Sequence, residues 1–154
     1  MATLSEVAGG EGRVAVFGDA AFVWTDTASW EQTSSSLTIN GCSYSRWTVT
    51  MSGNEADDEF ELDIMEDQAG CTEEGPDDGT YALASGGMTD NDVSLFTNGT
   101  SYFLDPGSEG SFTLTKSAQG EVLQIELQAD GLESGGIGGE DTFVDINAAF
   151  KAKQ

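Results

Sequence analysis

The sequence predicts an all-β protein: an antiparallel meander of about ten short strands closed as a β-sandwich or barrel, with no substantial helix. Three observations predict it. Short apolar runs alternate with polar residues at a period of two, glycine-led turns separate them at regular intervals, and no stretch carries apolar residues at helical spacing. The 154 residues suit a single β domain over 1–154, with an N-terminal arm at 1–12 and a flexible Gly-rich loop at 130–141.

Strands are expected at Arg13–Phe17, Ala20–Trp24, Leu37–Ile39, Cys42–Ser52, Glu59–Asp67, Thr80–Ala84, Asp92–Thr97, Thr100–Leu104, Gly110–Lys116, Glu121–Ala129 and Thr142–Phe150. Hairpin turns fix their pairing. In VSLFTNGTSYFL the Asn98-Gly99 turn, a preferred two-residue type, sets Leu95 opposite Tyr102 and Val93 opposite Leu104. That turn also accounts for the formal glycosylation acceptor at Asn98. In GSFTLTKSAQGEVLQIEL the apolar match sets Leu114 opposite Leu123 and Phe112 opposite Ile125, with Lys116 and Glu121 closing the turn. Comparable turns are read at Asn40-Gly41 and Gly18-Asp19. In the last strand Val144, Ile146, Ala148 and Phe150 share one apolar face.

The densest acidic stretch, RWTVTMSGNEADDEFELDIMEDQAGC, reads as a hairpin with Val49 opposite Ile64 and Met51 opposite Leu62. The same register puts Cys42 opposite Cys71 at the hairpin's foot, where a disulfide is geometrically plausible. On the chain-entropy model such a bond contributes roughly 3 to 4 kcal/mol, and it implies an oxidising compartment. Glu59, Glu61 and Asp63 alternate with Phe60, Leu62 and Ile64, so their carboxylates share the outward face roughly 7 Å apart. This is the wet face a half-buried strand needs.

Charge bounds the partners. With 28 acidic residues against 5 basic ones and no histidine, the formal charge is −23. Such a chain repels nucleic acid and anionic headgroups and attracts cations, and it suits high salt or the extracellular space. No apolar run is long enough for a membrane helix, so no direct membrane insertion of the chain is expected. Any export signal is expected to lie outside it, with an extracellular or cell-envelope location.

Missing residues exclude much chemistry. Without histidine there is no Ser-His-Asp or Cys-His pair and no imidazole ligand. Two cysteines cannot close a thiolate zinc site. Lys116 sits at a turn and Lys151 and Lys153 in the tail, none with a reason for a depressed pKa. The glycines of DGLESGGIGGED fit neither a dinucleotide fingerprint nor a phosphate loop.

Carboxylate and carbonyl oxygens are in excess, so calcium is the cofactor this chain could take, though none is required. The best clusters are NEADDE and TDNDVS, giving Asp57, Asp58, Asp90 and Asp92 as candidate ligands; neither follows the EF-hand pattern, and turn roles explain them as well. No catalytic residue is assigned. A glycosidase pair drawn from the many acids ranks third among the functions, and Trp24, Trp30 and Trp47 read as core or strand-surface residues before they read as sugar platforms, with Trp47 expected in the core.

Taken together, LTINGCSYSRW, GTYAL, GSFTLTKSAQGEVLQIEL and DTFVDINAAFKA resemble the small uncharacterised β-rich secreted lipoproteins of bacterial envelopes. Those proteins share an ATING..W start, a GTY.L middle, a hairpin and a closing V.ITNG.F strand. This chain departs from them in VDINAAF, which lacks the Asn-Gly pair. The resemblance implies an exported all-β domain without assigned catalysis. The expected function is a non-catalytic binding or structural surface module whose partners are other protein subunits or a surface ligand. The alternative is a subunit of an extracellular filament or virion surface assembly, as a homo-oligomer, in which apolar VAVF completes a neighbour's sheet.

Overall fold

The structure, a computed structural model, describes residues 3–39, 42–52, 58–65, 78–84, 91–97, 99–117, 121–134 and 142–154, with backbone alone between 33 and 45. The fold is all-β. Its strands are β1 (Glu11–Gly18), β2 (Phe22–Ile39), β3 (Cys42–Ser52), β4 (Glu59–Met65), β5 (Gly79–Ala82), β6 (Asp92–Thr97), β7 (Thr100–Phe103), β8 (Glu109–Lys116), β9 (Val122–Ser134) and β10 (Phe143–Lys153). A single 3-10 turn at Leu4–Glu6 is the one helical element among the described residues.

Eight strands close an antiparallel barrel in the order β1, β2, β3, β4, β6, β7, β9, β10 and back to β1. β8 and β5 branch from it. β9 carries the branch because one of its edges is divided: Leu123–Asp130 pair with β8, and only Glu133 and Ser134 pair with β7. Between these two stretches the β9–β10 register shifts, with Asp130 and Gly131 standing against Asp145 alone. Gly131 has a φ of 75°, and its N–H donates to the Asp145 carboxylate at 2.8 Å. A β-bulge of this kind bends a strand and strengthens its twist, which suits the point where the sheet divides.

Alternation fills the bore. Phe60, Leu62 and Ile64 of β4 are fully buried, as are Ile146, Ala148, Phe150 and Ala152 of β10. β4 and β10 stand on opposite sides of the ring, yet the rings of Phe60 and Phe150 meet with centroids 5.0 Å apart. An eight-stranded barrel is just wide enough for side chains to fill, and here two aromatic rings span it. Gly12 on β1 lies opposite Phe150, where an added Cβ would come within 2.4 Å of the Phe150 ring and 2.8 Å of the Met51 sulfur. The glycine therefore makes room for the ring.

The side sheet extends the same core. Phe112 and Leu114 of β8 are buried, and Tyr81 of β5 stacks on Phe112 at 5.4 Å. On the outside, Val7 and Ala149 form a small buried pair, and the Leu4 N–H donates to Glu126 at 3.0 Å. The chain start is thus laid against β9 and β10, and the expected arm over 1–12 gives way to β1 at Glu11. Of the expected flexible loop over 130–141, residues 130–134 belong to β9, and 135–141 lie outside the described residues.

Leu95 does face Tyr102. In β3–β4, Val49 faces Leu62 instead of Ile64, and in β8–β9, Leu114 faces Ile125 instead of Leu123. Both slips are of two residues, which preserves the buried face while changing the loop length. The Gly18-Asp19 turn is displaced by one: Val16 faces Phe22, and Gly18 continues β1 beside Val144. The expected strands Ala20–Trp24 and Leu37–Ile39 are ends of one strand, β2, whose polar middle shows no apolar alternation.

Gly12→Ala should lower stability by about 1–3 kcal/mol through overpacking against Phe150. Phe60→Ala should lower it by about 3–5 kcal/mol through the cavity left in the bore. Denaturant unfolding followed by tryptophan fluorescence measures both.

Candidate functional site

With Phe60 and Phe150 meeting across the bore, the candidate site among the described residues is the barrel's outer wall. The β4 carboxylates face outward between β3 and β6. Thr50 and Ser94 flank Glu61, Thr48 and Asp92 flank Asp63, and Ser52 and Phe96 flank Glu59. The Thr48 hydroxyl donates to Asp63 at 2.9 Å, and the Arg46 Nε–H donates to the Met65 sulfur at 3.4 Å. The Asp92 carboxylate accepts from the Val93 N–H at 2.9 Å.

Glu61 is the perturbed member. Partial burial, the charge of Asp63, a hydrogen bond shared with Asp63 and the charge of Glu59 push its pKa up to about 7, with Arg46 pulling the other way. The larger cause is a wall that partly excludes water, and crowding of like charges adds to it. A cation placed there would relieve that crowding.

Beside these acids a cavity of about 160 Å³ opens between β4, β6 and β7, lined by Glu59, Ser94, Leu95, Phe96, Ser101 and Phe103. A second, of about 150 Å³, lies over β8, β9 and β10 and is lined by Ser111, Thr113, Glu126, Gln128 and Asn147 among others. The buried Asn147 Oδ1 has no hydrogen-bond partner among the described residues.

Of the expected calcium ligands, Asp57 and Asp90 lie outside the described residues. Asp58 precedes β4 with its Oδ1 buried and unpartnered among the described residues, and Asp92 opens β6 opposite Asp63. Among the described residues no three acids, cysteines or histidines converge as a metal site. For the expected disulfide, Cys42 opens β3 with its backbone opposite Ile39, while Cys71 lies outside the described residues. Along the described hairpin Arg46 lies opposite Met65, two residues from the expected register, and the Cys42–Cys71 pairing lies outside the described residues.

The tryptophans behave as core residues. Trp47 is buried and Trp24 stacks on Phe22 at 5.1 Å, whereas Trp30 is partly buried and its indole N–H donates to the Glu121 carbonyl at 3.1 Å. Sequence reasoning placed Glu59, Glu61 and Asp63 on the wet face but missed the near-neutral Glu61 and the cavity beside it. The cavity depends on β6 lying next to β4, a pairing that skips β5. The run of alternating acids was the only signal available.

No helix among the described residues is long and apolar enough to cross a membrane. Comparison with protein-family models, curated proteins and solved structures finds no match.

In an unfolded chain Glu61 titrates near 4.5, and in the fold at about 7. Between these values the folded state holds the extra proton, so stability falls as pH rises through this window and levels off beyond it. Glu61→Gln should abolish that fall, leaving the variant more stable above pH 7 by about 1 kcal/mol after discounting for solvent exposure, and equal to the parent below pH 4. Thermal melts across pH read the difference.

Proposed function

We propose that this chain is a non-catalytic, acidic β-barrel module of the extracellular space or cell envelope that binds cationic partners on its outer wall. The observation that carries the reading is the outward row of Glu59, Glu61 and Asp63 on β4, where partial burial and then the neighbouring acids push the Glu61 pKa up to about 7. A filled bore supports it by leaving the wall as the binding surface. The charge of −23 supplies attraction over the whole molecule and steers cations toward it. The resemblance to secreted β-rich lipoproteins accords with the location proposed.

A second reading, an assembly subunit, is favoured by one feature. Phe17, Val23 and Phe143 are 45%, 51% and 46% exposed. All three point outward around the turn joining β1 to β2, because their neighbours Val16, Phe22 and Val144 face the core. Self-association through this patch would require salt to screen the mutual repulsion of copies. Light scattering in molar sodium chloride should then show oligomers that Val23→Ser weakens.

For the binding reading, a pentalysine peptide should bind at low salt and lose affinity by at least about tenfold in molar sodium chloride. The double variant Glu61→Gln, Asp63→Asn should weaken it about threefold. Absence of binding at low salt would sink the reading. Calcium is tested separately by thermal melts at matched ionic strength: a calcium-specific rise would assign selective oxygen-ligand sites.

A further inference from the structure

The cavity between β4, β6 and β7 has a composition unlike the rest of the acidic wall. Phe96 and Phe103 lie diagonally across the β6–β7 hairpin, each opposite a serine, since Ser94 faces Phe103 and Phe96 faces Ser101. Their outward direction follows from Leu95, Thr97 and Tyr102, which are buried on the inner face. Phe103 is 46% exposed, so one face of its ring is open to solvent. The two rings make no stacked or tilted contact with each other; among the described residues such contacts join Phe22 to Trp24, Phe60 to Phe150 and Tyr81 to Phe112. The space between them is the cavity, and Glu59 closes its β4 side.

Two aromatic rings beside a carboxylate recognise a specific chemistry. A ring face attracts a cation through its quadrupole, and the carboxylate supplies the counter-charge and a hydrogen-bond acceptor. At about 160 Å³ the space suits one head group, well below the roughly 300 Å³ at which drug-sized pockets begin. A planar guanidinium meets both demands at once, stacking on a ring while offering paired N–H donors to a carboxylate, which an ammonium point charge does not.

Surrounding charge selects what carries that head group. Glu61 and Asp63 continue the acidic row on β4 beyond Glu59. On the other side of Phe103 lies Glu133, its partner on β9, which shares a hydrogen bond with Asp105. A free cation would use the pocket alone, whereas a basic polypeptide would also meet the acids on both sides.

We propose that the Phe96–Phe103–Glu59 pocket holds one arginine side chain of a basic partner polypeptide, the flanking acids guiding the rest of that segment. This deepens the cationic-partner reading and rests on it. The occupant is a partner protein, since this chain's own 5 basic residues among 28 acids make a second copy a repelled guest.

The test titrates acetyl-Gly-Arg-Gly-amide into the intact protein at low salt, following the ring resonances of Phe96 and Phe103 by NMR, with lysine and citrulline versions as comparisons. The arginine peptide should shift both rings and saturate, the lysine version should bind at least about threefold more weakly, and the neutral citrulline version should leave the rings unmoved. Phe103→Ser and Glu59→Gln, both on the solvent side of their strands, should each weaken arginine binding about fivefold while the melting curve confirms the fold. If pentalysine binds while the arginine peptide moves neither ring, or if Phe103→Ser leaves its affinity unchanged, the pocket assignment is overturned and the broader reading stands. If neither peptide binds, both fall.

Discussion

Everything in this fold is arranged around a contact between two rings, Phe60 and Phe150, that meet from opposite walls of the barrel. A closed sheet has no edge on the ring itself, but closure leaves a bore that must be filled by side chains or by a ligand. Here side chains fill it. Gly12 yields the volume that Phe150 occupies, and the aliphatic residues of β4, β6, β9 and β10 complete the packing above and below. Because successive residues alternate across a strand, fixing the inner face of β4 also fixes its outer one. Burial of Phe60, Leu62 and Ile64 is what forces Glu59, Glu61 and Asp63 onto one wall.

That coupling explains how a surface comes to hold charge it would not choose. An isolated carboxylate on a loop can turn away from its neighbours, whereas carboxylates on a strand are held by the pleat at fixed spacing. The β3–β4–β6 neighbourhood places Asp92 against Asp63 and offers only Arg46 as a nearby cation pulling on Glu61. Repulsion in such a row is a standing free-energy penalty in the unbound protein, and any cation that lowers it gains affinity from that relief.

Much of the architecture was legible because local rules were enough. β3 and β6 match their expected bounds, and the Asn-Gly turn gave the β6–β7 register correctly. In β8–β9 both registers match two apolar pairs, so only loop geometry could decide between them, whereas in β3–β4 the observed register adds the pair Trp47–Ile64, which the expected one gave up by setting Trp47 opposite Glu66. β2 was hidden by its own composition: Thr, Ser and Glu can form a strand, but they leave no periodic signal. The candidate site was half visible. Alternation named its acids and their face, and the Asn-Gly hairpin already set Phe96 diagonal to Phe103, while bringing Glu59 beside those rings needed the non-sequential β4–β6 pairing. No pattern along the chain announces that β5 leaves the barrel to join β8.

The division of β9 has a mechanical meaning. A hoop is as strong as its narrowest join, and the β7–β9 join rests on two residue pairs, Tyr102 with Ser134 and Phe103 with Glu133. By contrast, β9 is bound to β10 along nearly its whole length. The barrel is therefore a sheet rolled up and fastened by a short clasp, and one side chain of that clasp, Phe103, also lines the outer pocket. Whatever settles against Phe103 settles against the fastening of the roll.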